Sequence, residues 1–187
     1  EAYMRWLYAP CDTVLVPSAA TLERLETRGY RRDQLQVWSR GVDTDCFRPS
    51  ARSGALRESW QGVERRMVIL YAGRLSSEKG LALCEPLAAS LARRRIAHRF
   101  VFVGDGPMRP ALAAAHPDAV FPGNVSYAKV AEAMASADVF LFPSATDSLG
   151  NVVLEAQACG TPVLVTDQGG PQEHMVPGVT GWVCRAG

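Results

Sequence analysis

The sequence predicts an α/β protein built on a doubly wound parallel sheet, and two features carry that expectation. Apolar runs recur between helical stretches along most of the chain, and runs such as Met67 to Ala72 and Val139 to Phe142 are continuous rather than alternating. Strands of that kind belong to parallel sheets covered on both faces, and regular alternation of strand and helix is how such sheets are built.

Taken in order, Thr13 to Pro17 reads as a short buried strand. Ser18 suits the N-cap of a helix from Ala19 to Arg28 with Leu22 and Leu25 on one face, and Gly29 stops it. Gln34 to Trp38 is the next strand, completing one β-α-β unit. Between Thr44 and Arg66 the composition shifts to Pro49, Ser50, Ser53 and Gly54 with few aliphatic residues, which reads as a linker holding a short helix around Ala55 to Trp60. A second run of alternating elements follows. Its strands are Met67 to Ala72, Arg99 to Val103, Ala119 to Phe121, Val139 to Phe142, Pro162 to Thr166 and Trp182 to Val183. Its helices are Glu85 to Arg94, Met108 to His116, Tyr127 to Ala135, Gly150 to Cys159 and a short one near Gln172 to Met175. Pro86 is tolerated only in a first turn, so its helix starts near Glu85. The resulting organisation is 1–48, a β-α-β piece; 49–66, a linker; and 67–187, the main sheet.

The chain has 187 residues, room for one domain with a full core or one domain and part of another. Charged residues make up 21% and the net charge is +1, so no global field argues for nucleic acid. No apolar run reaches membrane-spanning length and no signal peptide is present. The chain opens on Glu1 in mid-pattern and reads as cut from a longer protein. Five cysteines (Cys11, Cys46, Cys84, Cys159, Cys184) lack any C-x-x-C spacing, and His98, His116 and His174 show no ligand spacing with them. Reduced thiols, no metal site and a cytoplasmic setting are the expectation. His116 and His174 read as surface residues.

Ligands of open parallel sheets bind beyond the carboxyl ends of the strands. Gly73-Arg74, Gly104-Asp105-Gly106, Gly123-Asn124 and Ser144 to Gly150 all follow such ends, so glycines and polar side chains gather on one rim. Arg74 and Lys79 suit phosphate oxygens, although Arg74 could instead pair with Glu78. Asp147 could cap the helix that Ser148-Leu149-Gly150-Asn151 opens, or face a ligand. Glu155, eight residues on, sits among Val152, Val153, Leu154 and Ala156, where a carboxylate needs partners. Gly104 to Arg109 puts Arg109 where a dinucleotide fingerprint needs a third glycine, which argues against NAD.

These motifs also carry a resemblance. The stretch from Asp147 to Glu155 is similar to the acid, seven residues, glutamate signature of retaining glycosyltransferases of GT-B architecture in family 4, most of which carry Glu where Asp147 stands. Tyr71 to Gly80 resembles the GRL-x-x-EKG diphosphate segment of that family. Val103 to Pro107, Phe121 to Gly123, Arg40 to Asp43, and Gly169-Gly170 with Glu173 match in order. The resemblance implies a Rossmann-like, donor-binding half of a GT-B fold, preceded by the end of an acceptor domain. It implies hexose transfer, with retention, from a GDP- or UDP-linked sugar to a sugar or lipid acceptor, needing no metal or cofactor. The resemblance assigns Arg74, Lys79 and Asp147 to catalysis, the first two at the diphosphate and the third at the sugar. Glu155 is assigned to the ribose, with Gly73, Gly104, Asn124, Val125, Ser148, Leu149, Gly150 and Asn151 around the nucleotide. Gly123-Asn124-Val125 would border the base or be an ordinary turn. This stretch alone is expected to be inactive, and peripheral contact of the parent with the inner face of a membrane stays open. A sugar-nucleotide epimerase or phosphorylase of the same architecture, or a non-catalytic nucleotide-binding module, are the alternatives.

Overall fold

The structure, a computed structural model, describes residues 2–38 and 41–185, so Arg40 of the Arg40 to Asp43 motif lies outside the described residues. The elements run α1 (Ala2–Tyr8), β1 (Val14–Val16), α2 (Ala19–Thr27), β2 (Leu35–Val37), α3 (Gly54–Gln61), β3 (Met67–Ala72), α4 (Cys84–Arg93), β4 (His98–Val103), α5 (Arg109–Ala115), β5 (Val120–Gly123), α6 (Tyr127–Ser136), β6 (Val139–Phe142), α7 (Asn151–Ala158), β7 (Val163–Thr166) and β8 (Gly181–Cys184). The short segment Pro171–His174 is a 3-10 turn.

All strands pair in parallel. β1 and β2 form a two-stranded sheet, and the other six are ordered β5-β4-β3-β6-β7-β8. Strand order therefore reverses between β3 and β6, the switch point at which doubly wound sheets open a crevice. Because side chains alternate along a strand, Val68, Leu70 and Ala72 enter one core while Ile69 and Tyr71 enter the other. The first core collects Met134 of α6, Val153 and Ala156 of α7, and Trp60 of α3. The second collects Cys84 of α4 and Leu112 of α5.

The segment from Pro49 to Arg66 is anchored to this sheet. Trp60 is buried, and Ser53 and Arg57 bond the end of α6: the Ser53 N–H donates to Ser136 Oγ (3.0 Å) and Arg57 to Ser136 O (3.0 Å). Arg57 also pairs with Asp138, whose other oxygen accepts the Val68 N–H at 2.8 Å. Ahead of it, Phe47 is buried in the same core although its neighbours are polar.

The small unit differs from expectation in degree of burial. Val16 is buried, but Leu15 of β1 is exposed, because a two-stranded sheet has only one covered face. α2 starts as its sequence requires, with Ser18 Oγ accepting the Thr21 N–H at 3.1 Å. α1, for which the pattern gave no signal, buries none of its residues. The two histidines read as surface residues are half-buried. His116 packs 4.9 Å from the Phe100 ring, where burial lowers its pKa, and His174 Nε2 is enclosed without a hydrogen-bond partner. No disulfide links the cysteines, and Cys84 and Cys159 are buried thiols that burial pushes up to about 12 and about 11.

Candidate donor site

The loops after β3, β4, β5 and β6 meet on one rim. After β3 the chain turns through Gly73 and Arg74 into the short 3-10 turn Ser77–Lys79. Gly80 then takes a left-handed φ of 70°, with its Cα so near the β6 loop that a Cβ would stand 2.2 Å from Pro143 O. No other residue satisfies both demands. The β6 loop answers with two hydroxyls: Thr146 Oγ1 donates to Glu78 O (3.2 Å) and Ser144 Oγ does so more distantly (3.4 Å). The two loops flanking the switch point are thereby locked together.

Two cavities open on this rim. The first, about 470 Å³, is lined by Gly73 and Arg74, Gly104 and Asp105, Asn124, Val125 and Tyr127, and by Val152 and Glu155 of α7. Glu155 is half-buried. Desolvation raises its pKa, against a hydrogen bond that the Tyr127 hydroxyl donates to Oε1 at 3.0 Å. The Tyr127 phenol is itself pushed up to about 12, first by desolvation and then by that carboxylate. On the far side of Arg74, the Tyr71 hydroxyl donates to the Arg74 carbonyl at 2.9 Å and fixes the backbone there. Glu78 spends a carboxylate oxygen on the Ser76 hydroxyl (2.6 Å), the first cause of its lowered pKa, with the Arg74 charge a lesser one.

The second cavity, about 550 Å³, lies between Asp147, Ser148, Leu149, Gly150 and Asn151 on one wall and Leu15, Val16, Pro17 and Trp38 on the other. Asp147 does not cap α7; Gly150 holds the N-cap position at a φ of 66°, without a side-chain bond. The Asp147 carboxylate instead accepts from Lys79 Nζ at 2.6 Å, a half-buried pair joining the two loops. Behind this wall, the Gly170 N–H donates to Asp147 O at 3.0 Å, and a Cβ on Gly170 would stand 1.9 Å from Ser148 O, so only glycine allows the approach. Three residues on, Glu173 reaches out of the sheet domain to α2, where its two oxygens accept the N–H groups of Ala19 (2.8 Å) and Ala20 (2.7 Å).

The expected site residues thus fall in two sets. Gly73, Arg74, Gly104, Asn124, Val125 and Glu155 share the first cavity; Asp147, Ser148, Leu149, Gly150 and Asn151 share the second, with Lys79 bound to Asp147. Asp147 and Glu155 do not line one space, although one lies just before α7 and the other within it. Tyr127 and Trp38 join the rim without having been singled out for it, whereas Glu173, which the family resemblance set near the sugar pocket or in a simple turn, lines neither cavity and bonds α2 instead. An aromatic residue opening the helix just past the Gly123-Asn124 turn was the available signal for Tyr127. Among the described residues no cluster of three or more His, Cys, Asp or Glu is suited to a metal ion.

Residues 66–187 match the family described as Glycosyl transferases group 1, and residues 1–46 match Glycosyltransferase Family 4. The chain belongs to the glycosyl transferases group 1 family. It is 40% identical over 186 residues to a GDP-mannose-dependent alpha-mannosyltransferase of Mycobacterium tuberculosis, covering 100% of this chain and 47% of that protein. It is 35% identical to the sulfoquinovosyl transferase SQD2 of Arabidopsis thaliana, across 98% of this chain and 37% of that one. This member of the family therefore spans about half, or less, of the curated relatives it matches. Its fold is that of GT-B glycosyltransferases. Sucrose-phosphate synthase from Thermosynechococcus elongatus superimposes with a TM-score of 0.80 at 25% identity, covering 97% of this chain and 47% of that one. An Anabaena protein solved with UDP-glucose superimposes with a TM-score of 0.78 at 22% identity, covering 94% and 50%.

Proposed function

We propose that this chain carries the donor site of a retaining hexosyltransferase that takes its sugar from a nucleotide diphosphate, with GDP-mannose as donor. The observation that supports it best is the cavity beside the switch point, where the Arg74 cation and the half-buried Glu155 acceptor line the same space. That is a fit for a ligand with a diphosphate at one end and a ribose diol at the other. The choice of GDP-mannose rests on the GDP-mannose-dependent relative described above. Retention rests on the likeness of Asp147 to Glu155 to the family signature.

In this reading residues 67–187 bind the donor, 1–48 belong to the acceptor side and 49–66 connect them. The sugar or lipid acceptor meets the donor across the cleft that Trp38 and Asp147 line. As the bond from the sugar to the diphosphate breaks, negative charge grows on the departing phosphate. Arg74, on the wall of the first cavity, and Lys79, held by Asp147, would supply positive charge where that negative charge develops, which is where electrostatic stabilisation acts most strongly. Asp147 faces the sugar while serving as counter-ion to Lys79. This chain alone is expected to bind donor without transferring it.

Calorimetric titration with GDP, UDP, ADP and GMP tests the reading. GDP should bind tightest, and GMP more weakly for want of the second phosphate. Equal affinity for GMP and GDP would sink the diphosphate assignment; preference for UDP would sink the choice of donor and leave the rest.

A further inference from the structure

We propose that Tyr127 is a positioning residue for the nucleotide: its hydroxyl presents the Glu155 carboxylate to the ribose, and its ring is set by Phe47 from the segment that precedes the large sheet. The inference rests on the reading of Glu155 as the ribose contact. Tyr127 opens α6 on the rim and crosses to α7, where its hydroxyl donates to Glu155 Oε1 at 3.0 Å. Its ring meets Phe47 edge-on, with centroids 4.6 Å apart and planes at 83°. Phe47 is 1% exposed, and its own backbone is held by a tight turn. The Phe47 N–H donates to Asp43 O (2.8 Å), while Asp43 Oδ1 accepts the N–H groups of Asp45 and Cys46, each at 3.1 Å. A rigid turn therefore fixes a ring, the ring fixes a hydroxyl, and the hydroxyl fixes a carboxylate on a long side chain that would otherwise be free to swing.

An ionised carboxylate has about four acceptor positions. Tyr127 uses one on Oε1, leaving the other oxygen for a diol that donates two hydrogen bonds. Holding a rotamer-rich side chain before the ligand arrives removes an ordering cost from binding. The same bond favours the ionised form of Glu155, which is the form that accepts.

The test compares GDP with its 2′,3′-dideoxy counterpart on the 187-residue chain by calorimetry. Tyr127→Phe keeps the ring and its contact with Phe47 and removes only the hydroxyl, and Tyr127 is 53% exposed, so the fold should be unaffected. The variant should bind GDP about fivefold more weakly, the worth of one hydrogen bond, and dideoxy-GDP as the parent does. Glu155→Gln should abolish discrimination between the two nucleotides. Discrimination lost in Glu155→Gln but kept intact in Tyr127→Phe overturns this proposal alone. Equal weakening of both nucleotides by Tyr127→Phe also overturns it, since the residue would then act on the base. Discrimination kept in both variants overturns the ribose reading, and this proposal with it.

Discussion

The two parallel sheets of this chain are held together very differently. The six-stranded sheet is covered on both faces, with fully buried side chains such as Phe140, Met134 and Val163 on one side and Phe102 and Leu81 on the other. Among the described residues, the β1–α2–β2 unit's own cluster holds three buried hydrophobic side chains, Val16, Leu22 and Leu35. A polar tie, Glu173 on the first amides of α2, joins it to the larger body. The two cavities inherit this difference. The one with Arg74 and Glu155 has walls drawn entirely from the large sheet and its helices, whereas the one with Asp147 borrows Leu15 to Pro17 and Trp38 from the small unit. Nucleotide binding should therefore depend on one cooperative core, and sugar handling on how firmly the small unit is held.

Core truncations break the comparison most severely. Phe140→Ala removes a fully buried ring and should cost about 3–5 kcal/mol, lowering the denaturation midpoint and abolishing GDP binding in the unfolded fraction. Leu22→Ala removes one of the three residues in the small cluster. Amide exchange should rise between Val14 and Val37 while GDP affinity stays within about twofold, less than one hydrogen bond is worth. Loss of GDP binding in Leu22→Ala would show that the two bodies are one.

The next largest effects separate the cavities by ligand part. Arg74→Ala should weaken GDP by about 1.5–3 kcal/mol, the worth of a charge-assisted hydrogen bond. Lys79→Ala should cost less in GDP affinity, because Lys79 is shared with Asp147. Asp147→Asn releases that lysine, so GDP should bind as tightly as before or more so, while transfer by the full-length enzyme falls. Weaker GDP binding in Asp147→Asn, with folding unchanged, would place the aspartate at the phosphate rather than the sugar.

Most of this layout could be read from the sequence where continuous apolar strands and glycine punctuation spoke together. β3 and β6 fall on the residues expected, and the other strands of the large sheet differ by one or two residues at their ends. The rim was legible because Gly73, Gly104 and Gly123 mark strand ends. What stayed hidden depends on contacts distant in sequence. Phe47 reads as part of a polar stretch, yet it is buried beneath Tyr127. Nothing near Asp147 announces Lys79 as its partner, 68 residues away. Glu173 looks like part of a turn, and only the fold brings it to α2, 154 residues from Ala19.

That tie gives a smaller effect. Glu173→Gln keeps one acceptor but removes the negative charge that favours a helix N-terminus, a contribution of about 0.3–1 kcal/mol. Amide exchange at Ala19 and Ala20 should quicken, with the large sheet unchanged. If those amides stay equally protected, Ser18 alone caps α2 and the small unit is held by something other than Glu173.

The smallest effect has the most telling sign. Burial raises the Glu155 pKa above its unfolded value, against the opposing bond from Tyr127. Its ionised form is thus disfavoured by the fold. The associated stability is fully present below the unfolded carboxyl range, near pH 4.3, and is lost as pH rises through the folded value. Glu155→Gln removes the charge and keeps an acceptor for Tyr127, so the variant should melt slightly higher than the parent at neutral pH. The gap should close as pH falls toward 4, where the parent's carboxyl is protonated too. At the same time the variant should bind GDP more weakly, a trade of function against stability expected where a site holds a carboxylate for its ligand. A variant less stable than the parent at neutral pH would mean that the carboxylate serves the fold, and the first cavity would lose its principal claim on a ribose.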